Sequence, residues 1–205
     1  MAADWPARWS RTAQALGIDA DVTEREAVLA RYAEPHRRYH TLRHLDECFE
    51  RLEPVRERAE RVGEVDVAIW YHDAVYDPLA SDNEARSAEL AVRAMERAGL
   101  GSEACDRVRA LIMATRHDVL PSPGDAALLV DVDLGILAAE PARFDEYEEE
   151  IRAEYAWVPG PLFRSKRREV LSGFVARPRI YVSGAFPGDE DRARENLGRS
   201  VARLG

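Results

Sequence analysis

The chain has 205 residues, of which 46% are hydrophobic and 33% charged, and its formal net charge is −9. This composition is typical of a soluble globular protein, and the length predicts one domain, residues 1–205, with enough chain to bury a core. The acidic balance argues against a general nucleic-acid-binding protein, which would carry a basic surface, but leaves room for a small anionic substrate held by local arginines.

Targeting and redox signals are sparse. The N-terminal stretch MAADWPARWSRTAQ lacks the apolar segment of a secretory signal, and no run of 18 apolar residues occurs. We therefore expect a cytoplasmic protein without a membrane partner. Cys48 and Cys105 are the only cysteines. Two thiols in a chain of this length do not make a disulfide framework, so each is interpreted as a small hydrophobic residue on a helix face.

Helical periodicity dominates the chain, because apolar residues recur three or four positions apart along most of its length. In chain order the main stripes are Leu42, Leu45, Cys48, Phe49 and Leu52; Val65, Ala68, Ile69, His72, Val75 and Tyr76; Ala88, Ala91, Val92 and Met95; Ala104, Val108, Leu111 and Ile112; Phe144, Tyr147, Ile151 and Tyr155; Phe163, Arg167, Val170, Leu171 and Phe174; and Ala193, Leu197, Val201 and Leu204. Residues 117–125 and 177–189 interrupt the pattern and predict loops. No alternating run requires a sheet. The sequence predicts an all-α fold of about nine or ten helices, with residues from about 160 to 205 as a candidate peripheral extension.

The second of these stripes contains a histidine and an aspartate, His72 and Asp73, in the otherwise apolar segment WYHDAVYD. Ionisable groups in such a segment are costly unless they are neutralised or ligated. The periodicity predicts that His72 faces inward and that Asp73 lies about 100° round the same helix, so that both could reach one ion. A hydrogen-bonded His–Asp pair in the core is the alternative explanation.

Two further segments carry side chains of the same chemistry. In YHTLRH, His40 and His44 have the spacing of a helical metal-chelating pair, but Thr41 marks a helix start, so His40 could point elsewhere. In LLVDVDLGIL, Asp131 and Asp133 interrupt an apolar run. Asp131 could cap a helix, whereas Asp133 requires a cation or a donor. Imidazole and carboxylate together form a ligand set for divalent metal ions.

In this order the segments resemble the HD superfamily of metal-dependent phosphohydrolases, and in particular small bacterial HD proteins whose first motif reads Tyr-His-x-x-x-His. The resemblance is carried by YHTLRHLDECFERL, WYHDAVYDP, DNEARSAEL, ATRHD and DVDLGILAAEPARFDEYEEEIRAEYAWVP. It extends from about residue 30 to the C-terminal helix. It implies an HD-domain-like helical bundle that holds a divalent metal ion (Mn, Fe, Zn, Co or Mg) through His44, His72, Asp73 and one of Asp131 or Asp133. Asp133 is preferred, because the last Asp of the family opens an Asp-x-x-x-Leu pattern.

The activity implied by the resemblance is hydrolysis of a small phosphate ester, with nucleotides among the candidates, by a metal-activated water. Proton transfer then needs a side chain near that water or near the leaving oxygen. The candidate catalytic residues are Asp77, Glu84 and His117. Asp77 is predicted to lie about one helical turn beyond the His-Asp pair, and Glu84 could equally belong to a helix cap. Tyr76 stands where members that cleave nucleotide pyrophosphates carry an acid, so that activity is not expected.

An anionic phosphate-containing substrate also requires positive or hydrogen-bonding contacts. The candidates are Arg116, Arg167 and His40, of which Arg167 falls on the apolar stripe of its helix. Arg177 and Arg179 could equally be structural. Two alternatives to the hydrolase remain open: a non-catalytic HD-fold ligand-binding or regulatory module, and a di-iron oxygenase on the same fold. The sequence also leaves a homo-oligomer open.

Overall fold

A computed structural model describes residues 3–205 of the chain. It confirms the all-α prediction, because these residues form ten α-helices and no β-strand. The helices are α1 (Trp5–Leu16), α2 (Val22–Tyr32), α3 (Leu42–Leu52), α4 (Val62–Tyr71), α5 (Asn83–Arg97), α6 (Ser102–Ala114), α7 (Asp125–Asp133), α8 (Pro141–Glu154), α9 (Gly160–Val175) and α10 (Asp189–Arg203). Short 3₁₀ segments, Glu53–Arg58 and Leu134–Ala138, follow α3 and α7. Within the described part of the chain, no helix is both long and apolar enough to span a membrane.

Helix α3 begins and ends where its apolar stripe predicts. The Thr41 side chain accepts a hydrogen bond from the backbone N of Arg43 (3.3 Å), which satisfies one of the free donors of the first turn. The buried face of α3 carries Leu45, Cys48, Phe49 and Leu52, together with His44. His44 therefore points into the protein, whereas His40 lies before the helix.

Helix α4 is shorter than the sequence predicts, since it ends one residue before His72. The carbonyl groups beyond it do not continue the helical ladder. Instead, the Arg37 guanidinium donates to the backbone oxygens of Asp73 (2.7 Å) and Ala74 (3.2 Å). Residues 72–75 therefore form a turn, and the prediction that His72, Asp73 and Asp77 lie on one continuous helix is wrong.

Two apolar cores hold the helices together. The larger core is built mainly from α2 to α7 and contains the fully buried side chains of Tyr32, Trp70 and Ile112. The second core joins α8, α9 and α10 to the 3₁₀ segment after α7. Helices α3, α4 and α7 belong to the first core, while the residue that follows Asp133, Leu134, belongs to the second. The ends of these helices that carry the candidate ligands thus lie where the two cores meet.

Candidate metal centre

Four donor atoms from α3, from the turn after α4 and from the end of α7 converge in the interior. His44 Nε2 lies 3.0 Å from His72 Nε2, 3.4 Å from Asp73 Oδ2 and 3.2 Å from Asp133 Oδ1. His72 Nε2 lies 3.2 Å from the same oxygen of Asp73 and 3.5 Å from that of Asp133. A divalent ion about 2.1 Å from each ligand separates neighbouring ligand atoms by about 3.0 to 3.4 Å. The spacing of this cluster, His44, His72, Asp73 and Asp133, therefore fits one metal ion.

The backbone holds His72 in the tautomer that a metal ligand requires. Its Nδ1 lies 2.8 Å from the carbonyl oxygen of Ile69 and donates a hydrogen bond to it. In the neutral ring, Nε2 then carries the lone pair and faces the other donors of the cluster. Because His72 is the first residue after α4, a carbonyl of the last helical turn is available for this bond.

The electrostatics of the cluster favour a cation. Burial opposes ionisation of Asp73, but the neighbouring imidazole of His72 holds its pKa well below the usual range. Burial likewise opposes ionisation of Asp133, and hydrogen bonds from the surrounding imidazoles hold its pKa well below the usual range. Both carboxylates are thus ionised beside two histidine nitrogens that lie only 3.0 Å apart. A divalent cation satisfies both carboxylates and both nitrogen lone pairs.

Cys48 offers a second combination of ligands. Its Sγ lies 3.8 Å from both ring nitrogens of His44, and its ligand atom lies within 4.8 Å of those of His72 and Asp133. The described residues therefore contain a buried His/Cys/His/Asp group that could hold a metal ion, with a thiolate in place of Asp73. The sequence interpretation of Cys48 as a hydrophobic residue overlooked the spacing His44-x-x-x-Cys48, which places both side chains on one helix face.

Of the two alternatives in α7, Asp133 lies in the cluster and Asp131 does not. The Asp131 carboxylate accepts hydrogen bonds from the backbone N of Val182 (3.0 Å) and of Ser183 (2.8 Å). Two residues further on, the helix ends and the Asp133 side chain faces the histidines. Asp131 therefore anchors the loop before α10, because both of its oxygens are bonded to that loop.

His117 contacts the cluster through one of the candidate ligands. Its Nε2 donates to Asp133 Oδ2 (3.0 Å), the oxygen that does not face His44. The backbone of His117 has a φ of 59°, in the left-handed region that non-glycine residues seldom adopt. Its carbonyl oxygen accepts a hydrogen bond from the Arg177 guanidinium (2.6 Å). His117 is thus placed to orient the Asp133 carboxylate.

A buried carboxylate holds His40 beside the cluster. Glu154 Oε2 accepts hydrogen bonds from His40 Nδ1 (2.8 Å) and from the Tyr76 hydroxyl (2.7 Å). Glu154 Oε1 accepts the backbone N–H groups of Arg38, Tyr39 and His40 at 2.8, 2.9 and 3.1 Å. Burial opposes ionisation of Glu154, but these donors lower its pKa to about 2. Glu154 is not among the residues predicted from the sequence, because 114 residues separate it from His40 and no local pattern connects the two.

The two acids predicted to transfer protons are not brought to the cluster. Asp77 is exposed, and its Oδ1 accepts a hydrogen bond from the backbone N of Leu79 (2.9 Å) within a surface turn. Because α4 stops before His72, Asp77 does not follow the His-Asp pair on a helix face. Glu84 lies in the first turn of α5, and within residues 3–205 no hydrogen bond or ion pair joins it to the cluster.

The two arginines predicted to bind substrate have other partners. Arg116 is exposed and pairs with Asp118 at 3.0 Å. Arg167 faces inward, as its stripe predicts, but its Nε donates to Glu148 (3.1 Å) and its guanidinium lies over the ring of Tyr147. Both charges are therefore balanced by carboxylates of the chain itself.

A cavity of about 610 Å³ reaches the cluster from the side of α3 and α7. His44, Cys48 and Asp133 lie at its wall, and Ile136 and Phe186 are among its apolar lining residues. A cavity of this size can enclose a small organic molecule. The side chain of Asp133 is 13% accessible, whereas that of His44 is 3% accessible.

No protein-family model, curated protein or solved structure matches this chain. The interpretation of the site therefore depends on the arrangement of its donor atoms and on the chemistry that such a donor set supports.

Proposed function

We propose that the protein is a metal-dependent phosphohydrolase that cleaves a small phosphate ester, with nucleotides among the candidate substrates. The observation that carries the proposal is the convergence of His44, His72, Asp73 and Asp133 at distances that suit ligands of one ion. These four residues would hold the ion, and a divalent ion bound there would make its water more acidic and offset the negative charge of a phosphoryl group. The resemblance to the HD superfamily supports the same ligands.

The donor set narrows the choice of metal. Two imidazoles and two carboxylates suit Zn, Fe, Mn and Co, whereas Mg favours oxygen ligands and keeps several waters. The nearby Cys48 thiol is a soft donor, which also favours these metals over Mg. We therefore expect a transition metal or zinc in the isolated protein.

His40 is the side chain best placed to transfer a proton. Glu154 fixes the ring through Nδ1, which leaves Nε2 to exchange a proton with water or with the leaving oxygen. The ring centroid lies 6.0 Å from that of His44, and the His40 side chain is 19% accessible, so a substrate at the cluster can approach it. In this mechanism His40 takes the proton-transfer role that was predicted for Asp77 and Glu84, while His117 orients Asp133.

Metal analysis of matched variants tests the metal centre. We expect wild-type protein purified without chelator to retain about one divalent ion per chain, and His72→Ala to lose it. His36→Ala is the control, because His36 is exposed and bonds to the carbonyl oxygen of Tyr76 outside the cluster. Wild-type protein that binds no metal, or a His72→Ala variant that binds it equally well, would contradict the proposal.

Release of phosphate from a panel of nucleotides and sugar phosphates, with Mn, Mg, Co and Zn, tests the reaction. We expect turnover by the wild type and a loss of about 10²- to 10⁴-fold in kcat for His40→Asn with metal content unchanged. Metal binding without turnover on any substrate would favour the non-catalytic module. Two irons per chain with oxygen-dependent turnover would favour the oxygenase.

A further inference from the structure

Arg177 differs from the other partly buried arginines in its partners. Among residues 3–205, Arg152 and Arg177 are the two arginines that are neither exposed nor paired with a carboxylate. Arg152 donates to two carbonyl oxygens, those of Tyr155 (2.7 Å) and Val158 (3.1 Å), and so closes the end of α8. The Arg177 side chain donates to one, that of His117 (2.6 Å). Most of its N–H groups are therefore available to another acceptor.

The position of Arg177 links it to the metal centre. Its guanidinium lies 4.5 Å from the ring centroid of Phe174, and the ring of Phe174 lies 5.9 Å from that of His117. His117 in turn donates to Asp133 in the cluster. Burial lowers the pKa of Arg177, and no carboxylate among residues 3–205 forms an ion pair with its guanidinium. The Arg177 guanidinium is partly accessible, so an anion from outside the chain can reach the donors that the chain leaves unused.

We propose that Arg177 binds a phosphate oxyanion of the substrate at the edge of the metal centre. The proposal rests on the proposed function, since the metal centre supplies the reason for a phosphate to be there. A guanidinium presents paired donors that match two oxygens of a phosphate group. Arg177 thus replaces Arg116 and Arg167 as the cationic contact for substrate.

If Arg177 had only a structural role, that role would be to hold the carbonyl group of His117. Holding the His117 carbonyl requires one donor and no charge, so a glutamine could do it. Binding a phosphate requires the charge, which lysine keeps and glutamine does not. The variants Arg177→Gln and Arg177→Lys therefore separate the two roles. Arg179→Met is the matched control for net charge, because Arg179 is exposed and only two residues away.

Binding of inorganic phosphate to the cobalt-loaded full-length protein, measured by calorimetry at fixed ionic strength, tests the proposal without turnover. We expect Arg177→Gln to weaken phosphate binding about 10-fold or more, Arg177→Lys to restore part of the affinity, and Arg179→Met to stay within about twofold of the wild type. Cobalt content and melting temperature should remain those of the wild type in Arg177→Gln.

Several outcomes would overturn this role. Unchanged phosphate affinity in Arg177→Gln contradicts it, as does an equal loss in Arg179→Met, which would indicate general attraction by surface charge. If the cobalt-loaded wild type binds no phosphate at all, this proposal fails while the metal centre stands. If phosphate binds through Arg177 but no ester is cleaved, the hydrolase proposal fails and the anion site stands.

Discussion

Replacing Glu154 with Gln keeps the size of the side chain but removes a buried negative charge. The Glu154 carboxylate accepts five hydrogen bonds, three from the backbone N–H groups of residues 38–40 and one each from His40 and Tyr76. Glutamine has one acceptor oxygen and one donor nitrogen, so it cannot accept all five. The bonds that remain join neutral groups, which are weaker than bonds to a carboxylate.

The pKa of Glu154 gives the size of the effect. Although burial opposes ionisation, the surrounding donors lower the pKa from its usual value of 4.5 to about 2. At about 1.4 kcal/mol for each pKa unit, this lowering corresponds to about 3 kcal/mol of folding stability at pH 7. Because the folded protein has the lower pKa, the contribution is fully present above about pH 4.5 and is lost as the pH falls toward 2. At pH 3, somewhat less than half of it remains.

Urea unfolding of the metal-free wild type and of Glu154→Gln measures this difference at two pH values. We expect the variant to lose about 3 kcal/mol at pH 7, with a clearly smaller gap at pH 3. Glu149→Gln is the control, because Glu149 is exposed on the same helix, and we expect it to change the free energy of unfolding by less than about 0.5 kcal/mol. Equal stability of the two variants at pH 7, or a gap that does not depend on pH, would refute the reasoning.

Three further results are expected. Arg37→Met should lower the free energy of unfolding by about 3 to 5 kcal/mol, because its fully buried guanidinium donates hydrogen bonds to three backbone carbonyl oxygens. The control Arg31→Met, at an exposed position, should change the free energy of unfolding little. A small effect of Arg37→Met in urea unfolding would contradict this prediction. Burial opposes protonation of His44 and His72, but their negative neighbours outweigh burial and raise the pKa of both, so protons compete with the metal for these nitrogens. Zinc affinity should therefore fall about tenfold for each unit by which the pH is lowered, for each proton that the metal displaces. A constant zinc affinity between pH 8 and pH 6 would count against this prediction. Asp73 Oδ2 lies closer to His44 than Cys48 Sγ does, so we expect Asp73 and not Cys48 to bind cobalt in the wild type. The cobalt-loaded wild type should therefore lack a thiolate charge-transfer band, and the band should appear in Asp73→Ala. The same spectrum in both proteins would show that Cys48 does not replace Asp73.

The features that the sequence predicts well are local ones. The stripe of α3 and its Thr41 cap fix the helix boundaries and the inward direction of His44, because both depend on residues within a few positions of each other. The same holds for the all-α class, since seven of the ten helices in the described part of the chain, α3 to α6 and α8 to α10, each show an apolar period. The predicted His72 and Asp133 lie in the cluster for a related reason: each is an ionisable residue in a strongly apolar segment, where a partner or a ligand is needed.

The features that the sequence did not predict depend on distant contacts. The turn that ends α4 is held by Arg37, which lies in a loop 36 residues before Asp73. The Arg37 guanidinium donates hydrogen bonds to the carbonyl oxygens of that turn. The partner of His40 is Glu154, at the end of α8. Neither periodicity nor spacing contains such pairings, because they arise only when the helices are packed.

One buried charge couples the metal ligands to the residue proposed to transfer a proton. The same nitrogen of Arg37 donates to the backbone oxygen of His40 (3.1 Å) and to that of Asp73 (2.7 Å). The loop that carries His40 and the turn that carries Asp73 are therefore held to a single atom, while Glu154 fixes the His40 ring from the other side. Loss of Arg37 should thus disturb the metal ligand and the proton-transfer residue together, whereas loss of Glu154 should release His40 and leave the metal bound.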